Sequence, residues 1–110
     1  MKITISIEFD GGIVRNEYPD IGNFKLNVKE ILETLKSKEH EIKIWSSRTG
    51  KDADRVIKFL KDNKIPFDSF NYQENAYETF AHFYIDENNH GSKIVWDDIY
   101  EKVTQLAGDL

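Results

Sequence analysis

Apolar and polar residues alternate from Ile3 to Phe9, with Ile3, Ile5, Ile7 and Phe9 set against Thr4, Ser6 and Glu8. A period of two with β-branched enrichment predicts a strand. It stops at Asp10-Gly11-Gly12, where glycine permits a sharp turn. A looser stretch from Ile13 to Phe24 carries Pro19, Asp20 and Gly22. The period then becomes helical: Val28, Ile31, Leu32 and Leu35 fall at i, i+3, i+4 and i+7. Asn27 stands as its N-cap, with Glu30 three residues on as in a capping box. Ile42 to Trp45 predicts a second strand, closing on the polar run Ser46 to Gly50. Ala53, Val56, Ile57 and Leu60 mark a second helix that ends near Asn63. After Pro66, Phe67 to Phe70 reads as a short third strand, followed by a weak helical piece around Asn75 to Phe80. Phe83-Tyr84-Ile85 is the fourth strand and runs into Asp86-Glu87-Asn88-Asn89. Val95, Ile99, Val103 and Leu106 define a last helix, with Asp97 and Asp98 in its first turn, where the helix dipole favours carboxylates.

Strands alternating with helices imply an α/β fold with a parallel sheet and right-handed crossovers. In such sheets ligands bind beyond the carboxyl ends of the strands. The residues standing there are Glu8 and Asp10, then Ser46, Ser47 and Arg48, then Asp86 and Glu87. Four carboxylates with a hydroxyl form the oxygen-rich set that Mg²⁺ favours, and a bound cation would attract a phosphate.

At 110 residues, with 39% hydrophobic side chains, the chain reads as one domain spanning 1–110. Fifteen basic against twenty acidic residues argue against a nucleic-acid partner. The charge is uneven. Residues 1–64 hold thirteen Lys and Arg against eleven Asp and Glu, while residues 65–110 hold two against nine. The absence of cysteine excludes disulfides and thiolate metal sites and fits the cytoplasm. No long apolar run predicts a signal peptide or a membrane span.

Three segments resemble motifs of the haloacid dehalogenase-like (HAD) hydrolases. Ile7-Glu8-Phe9-Asp10-Gly11-Gly12 is similar to the Asp-x-Asp-Gly-Thr signature at the end of the first strand. Ile44-Trp45-Ser46-Ser47-Arg48-Thr49-Gly50 resembles the second motif, and Phe83-Tyr84-Ile85-Asp86-Glu87-Asn88-Asn89-His90-Gly91 the fourth. Order and spacing are kept over nearly the whole chain, in the manner of small capless bacterial and phage members. The resemblance implies a three-layer Rossmann-like sheet of order 3-2-1-4, with helices on both faces and no cap domain. It also implies an Mg²⁺-dependent phosphatase-type site. Glu8 would take the nucleophile's place and Asp10 that of the general acid/base. Ser46, Ser47 and Arg48 would meet the substrate, and Glu8, Asp10, Asp86 and Glu87 would surround the metal.

The departures point away from efficient catalysis. Glu8 replaces the nucleophilic Asp and displaces its carboxylate by about 1 Å, a misplacement that can cost ~10²-fold. Gly12 removes the signature hydroxyl and is expected to loosen the turn. Asn88 stands where small relatives often carry Arg. Glu78 falls where the motif lysine belongs, and residues 65–92 contain no Lys or Arg. Loss of that cation weakens a reaction that depends on electrostatic stabilisation. The expected function is therefore a weakly active or inactive phosphatase-fold protein. The alternative is a non-catalytic relative that binds a phosphorylated small molecule or a protein partner.

Several of these residues also have plainer readings. Ser46 can cap its turn, Arg48 can pair with an acid or grip an anion, and Trp45 and Trp96 suit packing. His40, His82 and His90 have no partners at metal-ligand spacing. The stretch from Ile13 to Leu26 corresponds to a short flap, with Arg15, Tyr18 and Phe24 as candidate contacts.

Overall fold

The computed structural model describes residues 1–71, 80–91 and 93–108. Strand β1 is Thr4–Glu8, β2 Glu41–Trp45, β3 Ser69–Asn71 and β4 Phe83–Ile85. They form one parallel sheet in the order β3-β2-β1-β4. Helix α1 is Val28–Ser37, α2 Gly50–Asp62, α3 the single turn Glu87–His90 and α4 Trp96–Ala107. The parallel order 3-2-1-4 agrees with the sequence-based expectation, and the described residues form no cap domain. The helical piece expected around Asn75 to Phe80 lies outside the described residues except for Phe80.

Register explains how the sheet divides its two faces. Ile5 pairs with Ile42 and Phe83, and Ile7 with Ile44 and Ile85, so these side chains share one face. Ile5, Ile7, Ile42, Ile44 and Ile85 are fully buried there and join Leu32, Leu35, Val56, Leu60, Ile99 and Val103 in one core. Right-handed β1–α1–β2 and β2–α2–β3 crossovers put α1 and α2 on the same side of the sheet, and α4 packs beside α1. The other face carries Thr4, Ser6, Glu8, Lys43, Trp45 and Tyr84. Lys43 donates to the carbonyl of Phe80 at 3.1 Å, and the Ala81 N–H donates to the Tyr84 hydroxyl at 3.0 Å. These bonds anchor the end of the crossover that returns from β3 to β4.

Three local expectations are revised. Asn27 does precede α1, but its backbone is left-handed (φ 64°) and its side chain makes no cap; the amide donates to Asp97 on α4 at 3.1 Å instead. The capping box with Glu30 is therefore not formed. On α4 the inward stripe is Trp96, Ile99, Val103 and Ala107, whereas Val95 and Leu106 are exposed. At 100° per residue the buried stripe centres between Ile99 and Trp96, which leaves Val95 and Leu106 on its margin. Finally, the segment after β4, for which the sequence predicted no element, winds into α3.

Candidate functional site at the carboxyl edge of the sheet

Beyond Glu8 the chain makes one wide turn, Phe9–Ile13, closed by the Val14 N–H on the Phe9 carbonyl at 3.2 Å. Gly11 has φ 97°, a conformation that glycine adopts without a Cβ penalty, and the Glu87 side chain occupies the space where its Cβ would stand. Gly12 tightens the turn instead of loosening it: a Cβ there would press on Ile7 Cγ2 at 3.1 Å. Its carbonyl accepts the buried Trp96 indole N–H at 2.8 Å, which ties the turn to α4. The chain then runs out and back as a flap bridged antiparallel at Val14 and Phe24. The Arg15 N–H donates to Asn23 and the Lys25 N–H to Ile13, both at 2.9 Å.

The turn brings the sequence-predicted acids together in two groups. Glu8 is half-buried and accepts the Glu87 N–H at 3.3 Å. Burial, reinforced by repulsion from Glu87, Asp86 and Asp10, raises its carboxyl from the usual 4.5 to about 7 despite that hydrogen bond. Asp86 is buried at the end of β4, and Glu87 accepts from the Asn16 amide at 3.2 Å. Asp10 faces elsewhere. Both of its oxygens are held by Arg48, through Nε at 2.9 Å and Nη2 at 2.8 Å.

Arg48 is the centre of this second group, and its side chain is wholly buried. Nη1 donates to the Pro19 carbonyl (2.9 Å) and to Asp52 (3.0 Å), and Nη2 also donates to the Asp20 carbonyl (2.7 Å). Together with the two bonds to Asp10, these use all five guanidinium N–H donors. The Tyr18 ring lies 4.9 Å from the guanidinium carbon, a cation–π contact. Hydrogen bonding to Asp10 holds Arg48 more firmly protonated than an ordinary arginine. Arg55 adds a bond to the Pro19 carbonyl (2.7 Å) and one to Asp52 (2.9 Å). Arg48 thus clamps the tip of the flap onto Asp10 and α2 and turns away from the opening.

The expected substrate hydroxyls divide. Ser46 is buried and its hydroxyl accepts the Arg48 N–H at 3.1 Å, the turn-capping role, while Ser47 is exposed. Trp45 and Trp96 are both buried packing residues. His40 and His82 accept the backbone N–H groups of Ile3 and Thr4 through Nδ1, at 3.1 and 2.9 Å. Sequence reading missed Asn16, Lys25, Asp52 and Arg55. The spacing of Asp52, four residues after Arg48 and three before Arg55, was a usable signal; Asn16 and Lys25 had none beyond their place in the flap.

These carboxylates do not form a ready Mg²⁺ cage. Among the described residues no three His, Asp or Glu side chains are arranged to hold a metal ion. With Asp10 committed to Arg48 and Glu87 drawn toward Asn16, the residues as arranged do not fit the near-octahedral oxygen shell that Mg²⁺ requires.

Fold and site together define a class: a small, capless, parallel α/β protein with an acidic strand edge and an arginine-clamped flap. No family model and no curated protein matches the sequence. Among solved structures the chain is similar to a conserved protein from Bacteroides thetaiotaomicron, at 30% identity over 96% of this chain and 92% of that one, with a TM-score of 0.83. The chain belongs to the same family as that conserved protein. Among the described residues no helix is long and apolar enough to cross a membrane.

Proposed function

We propose that the protein is a haloacid dehalogenase-like domain whose phosphatase site is disabled, leaving a binding protein for a phosphorylated ligand with weak or no turnover. One observation carries this reading: the carboxylate in the general acid/base position, Asp10, has both oxygens bound by a guanidinium with no N–H left to give. A general acid/base must reach the proton it transfers, and Asp10 is held off it. Two further features support the same reading. Glu8, in the nucleophile's place, keeps its proton up to about pH 7, and a protonated carboxyl is a poor nucleophile. The segment from Ile65 to Ser92, where the motif lysine belongs, contains no Lys or Arg.

A second reading has one specific observation in its favour. A carboxyl that titrates near 7 at a strand-end pocket suits general-base activation of water, which would make Glu8 the base of a slow hydrolase. Hydrolysis of an aryl phosphate with added Mg²⁺, across pH 5 to 9, separates the two. The binding-protein reading expects at most weak turnover by wild type, left unchanged in Glu8→Ala. Wild-type turnover that rises through pH 7 and disappears in Glu8→Ala would overturn it in favour of the slow hydrolase.

A further inference from the structure

The flap and the start of α4 together line an open groove of about 440 Å³. Arg15, Phe24, Lys25 and Leu26 come from the flap side, and Val95 and Asp97 from the helix side. The two sides differ in charge. Arg15 and Lys25 make the flap side cationic. Asp97 makes the helix side anionic, and the hydrogen bond it accepts from the neutral Asn27 amide leaves that charge intact. Among the described residues neither cation nor Asp97 enters an ion pair, so the groove balances its charges without neutralising them. The flap side is held closely from behind: Gly22 packs so tightly on the Arg15 carbonyl that any Cβ there would collide with it.

The fold leaves Leu26 at 81% exposure and Val95 at 51% along this groove. A leucine that open, beside a recess larger than its own side chain, puts a projection and a hollow on one surface. A partner dominated by one sign of charge would be repelled by one side of the groove or the other. The surface is complementary to itself instead. A two-fold axis sets a patch against its own rotated copy. With the axis between the two sides, the cationic side of each copy faces the anionic side of the other, and each Leu26 meets the other's recess.

We propose that this groove is the interface of a symmetric homodimer, with Arg15 and Lys25 of one protomer facing Asp97 of the partner subunit around an apolar centre of Phe24, Leu26 and Val95. An apolar centre within a polar rim is the usual anatomy of a specific protein contact. Burial of Leu26 and Val95 drives the association. The opposed charges fix its two-fold orientation. The interface stands whether or not the strand edge binds a phosphorylated ligand or hydrolyses anything.

Sedimentation equilibrium of the whole chain tests this, without phosphate or Mg²⁺ so that the strand edge plays no part. Wild type should pass reversibly from monomer to dimer as its concentration rises from micromolar to millimolar. Leu26→Asp, at an exposed position that spares the fold, should raise the dissociation constant about a hundredfold, since both copies lose an apolar contact and gain a buried charge. Lys25→Glu and Asp97→Lys each set like charges against one another twice and should weaken self-association about tenfold or more. An equimolar mixture of those two variants should recover a heterodimer of near wild-type affinity, because each charge at position 25 again opposes its opposite at position 97. A folding defect would not give that recovery. A wild type that stays monomeric throughout, or dimers indifferent to Leu26→Asp, would overturn the interface and leave the groove to a different molecule. A mixture that associates no more tightly than its components would overturn the two-fold charge pairing.

Discussion

Replacing Glu8 with Gln tests the electrostatics of the strand edge directly. The carboxyl is raised from 4.5 to about 7 by burial first and by its acidic neighbours second. Between those values the folded protein holds a proton that the unfolded chain releases. Its contribution is fully present below pH 4.5 and is lost as pH rises through 7. At 1.36 kcal/mol per pH unit the ceiling is about 3 kcal/mol. Partial solvent access at Glu8 reduces the expected loss to about 1–2 kcal/mol. For a domain of this size that is a fall in Tm of about 5–10 °C between pH 4.5 and 8. Thermal unfolding followed by circular dichroism, in chelator at fixed ionic strength, measures it. Asp68 and Asp52 do not confuse the window. Burial at Asp68 is outweighed by the Ile42 N–H and Lys36, and burial at Asp52 by Arg55 and Arg48, so both lie below the usual carboxylate range and act only under about pH 4. Glu8→Gln should flatten the Tm profile and exceed wild type in stability at pH 8. A variant whose Tm falls in parallel with wild type across this range would refute the assignment of the proton to Glu8.

Two other substitutions probe the clamp and the flap. Arg48→Met strips the buried Asp10 of its partner and should cost about 3–5 kcal/mol in urea denaturation, partly recovered when Asp10→Asn is added; a loss below about 1 kcal/mol would mean that the clamp is not structural. Gly22→Ala drives a Cβ into the Arg15 carbonyl and should cost about 1–3 kcal/mol. Hydrogen exchange at Arg15 and Lys25 should then speed up while Ile5 and Ile44 stay protected, and uniform protection would contradict the close packing of the flap.

The fold was legible because its signals are local and repeated. Alternation from Ile3 to Phe9 and the stripe Val28, Ile31, Leu32, Leu35 each specify an element without reference to distant residues, and alternating elements leave few topologies. Signals resting on one or two residues were weaker. Asn27 has the composition of a cap, yet its backbone is left-handed where a cap is extended, and its amide donates to Asp97, seventy residues away. The helical stripe of α4 differs from the expected one at both ends: Val95 precedes the helix by one residue and Leu106 lies an i+3 step from Val103, which puts both on one margin of the face that Trp96, Ile99, Val103 and Ala107 bury. Gly12 looked like the loss of a hydroxyl; only the packing of Ile7 and the reach of Trp96 show it as a close-approach position.

Arg48 marks the point where position and role separate. Its place after β2 was readable, and from there a guanidinium has two courses: outward to an anion, or inward to whatever acceptors the fold presents. The outcome depends on groups spread over the chain. They are a carboxylate at the end of β1, two carbonyls at the flap tip and a carboxylate in the first turn of α2. Five donors meet acceptors from all three segments, and no local pattern encodes that closure.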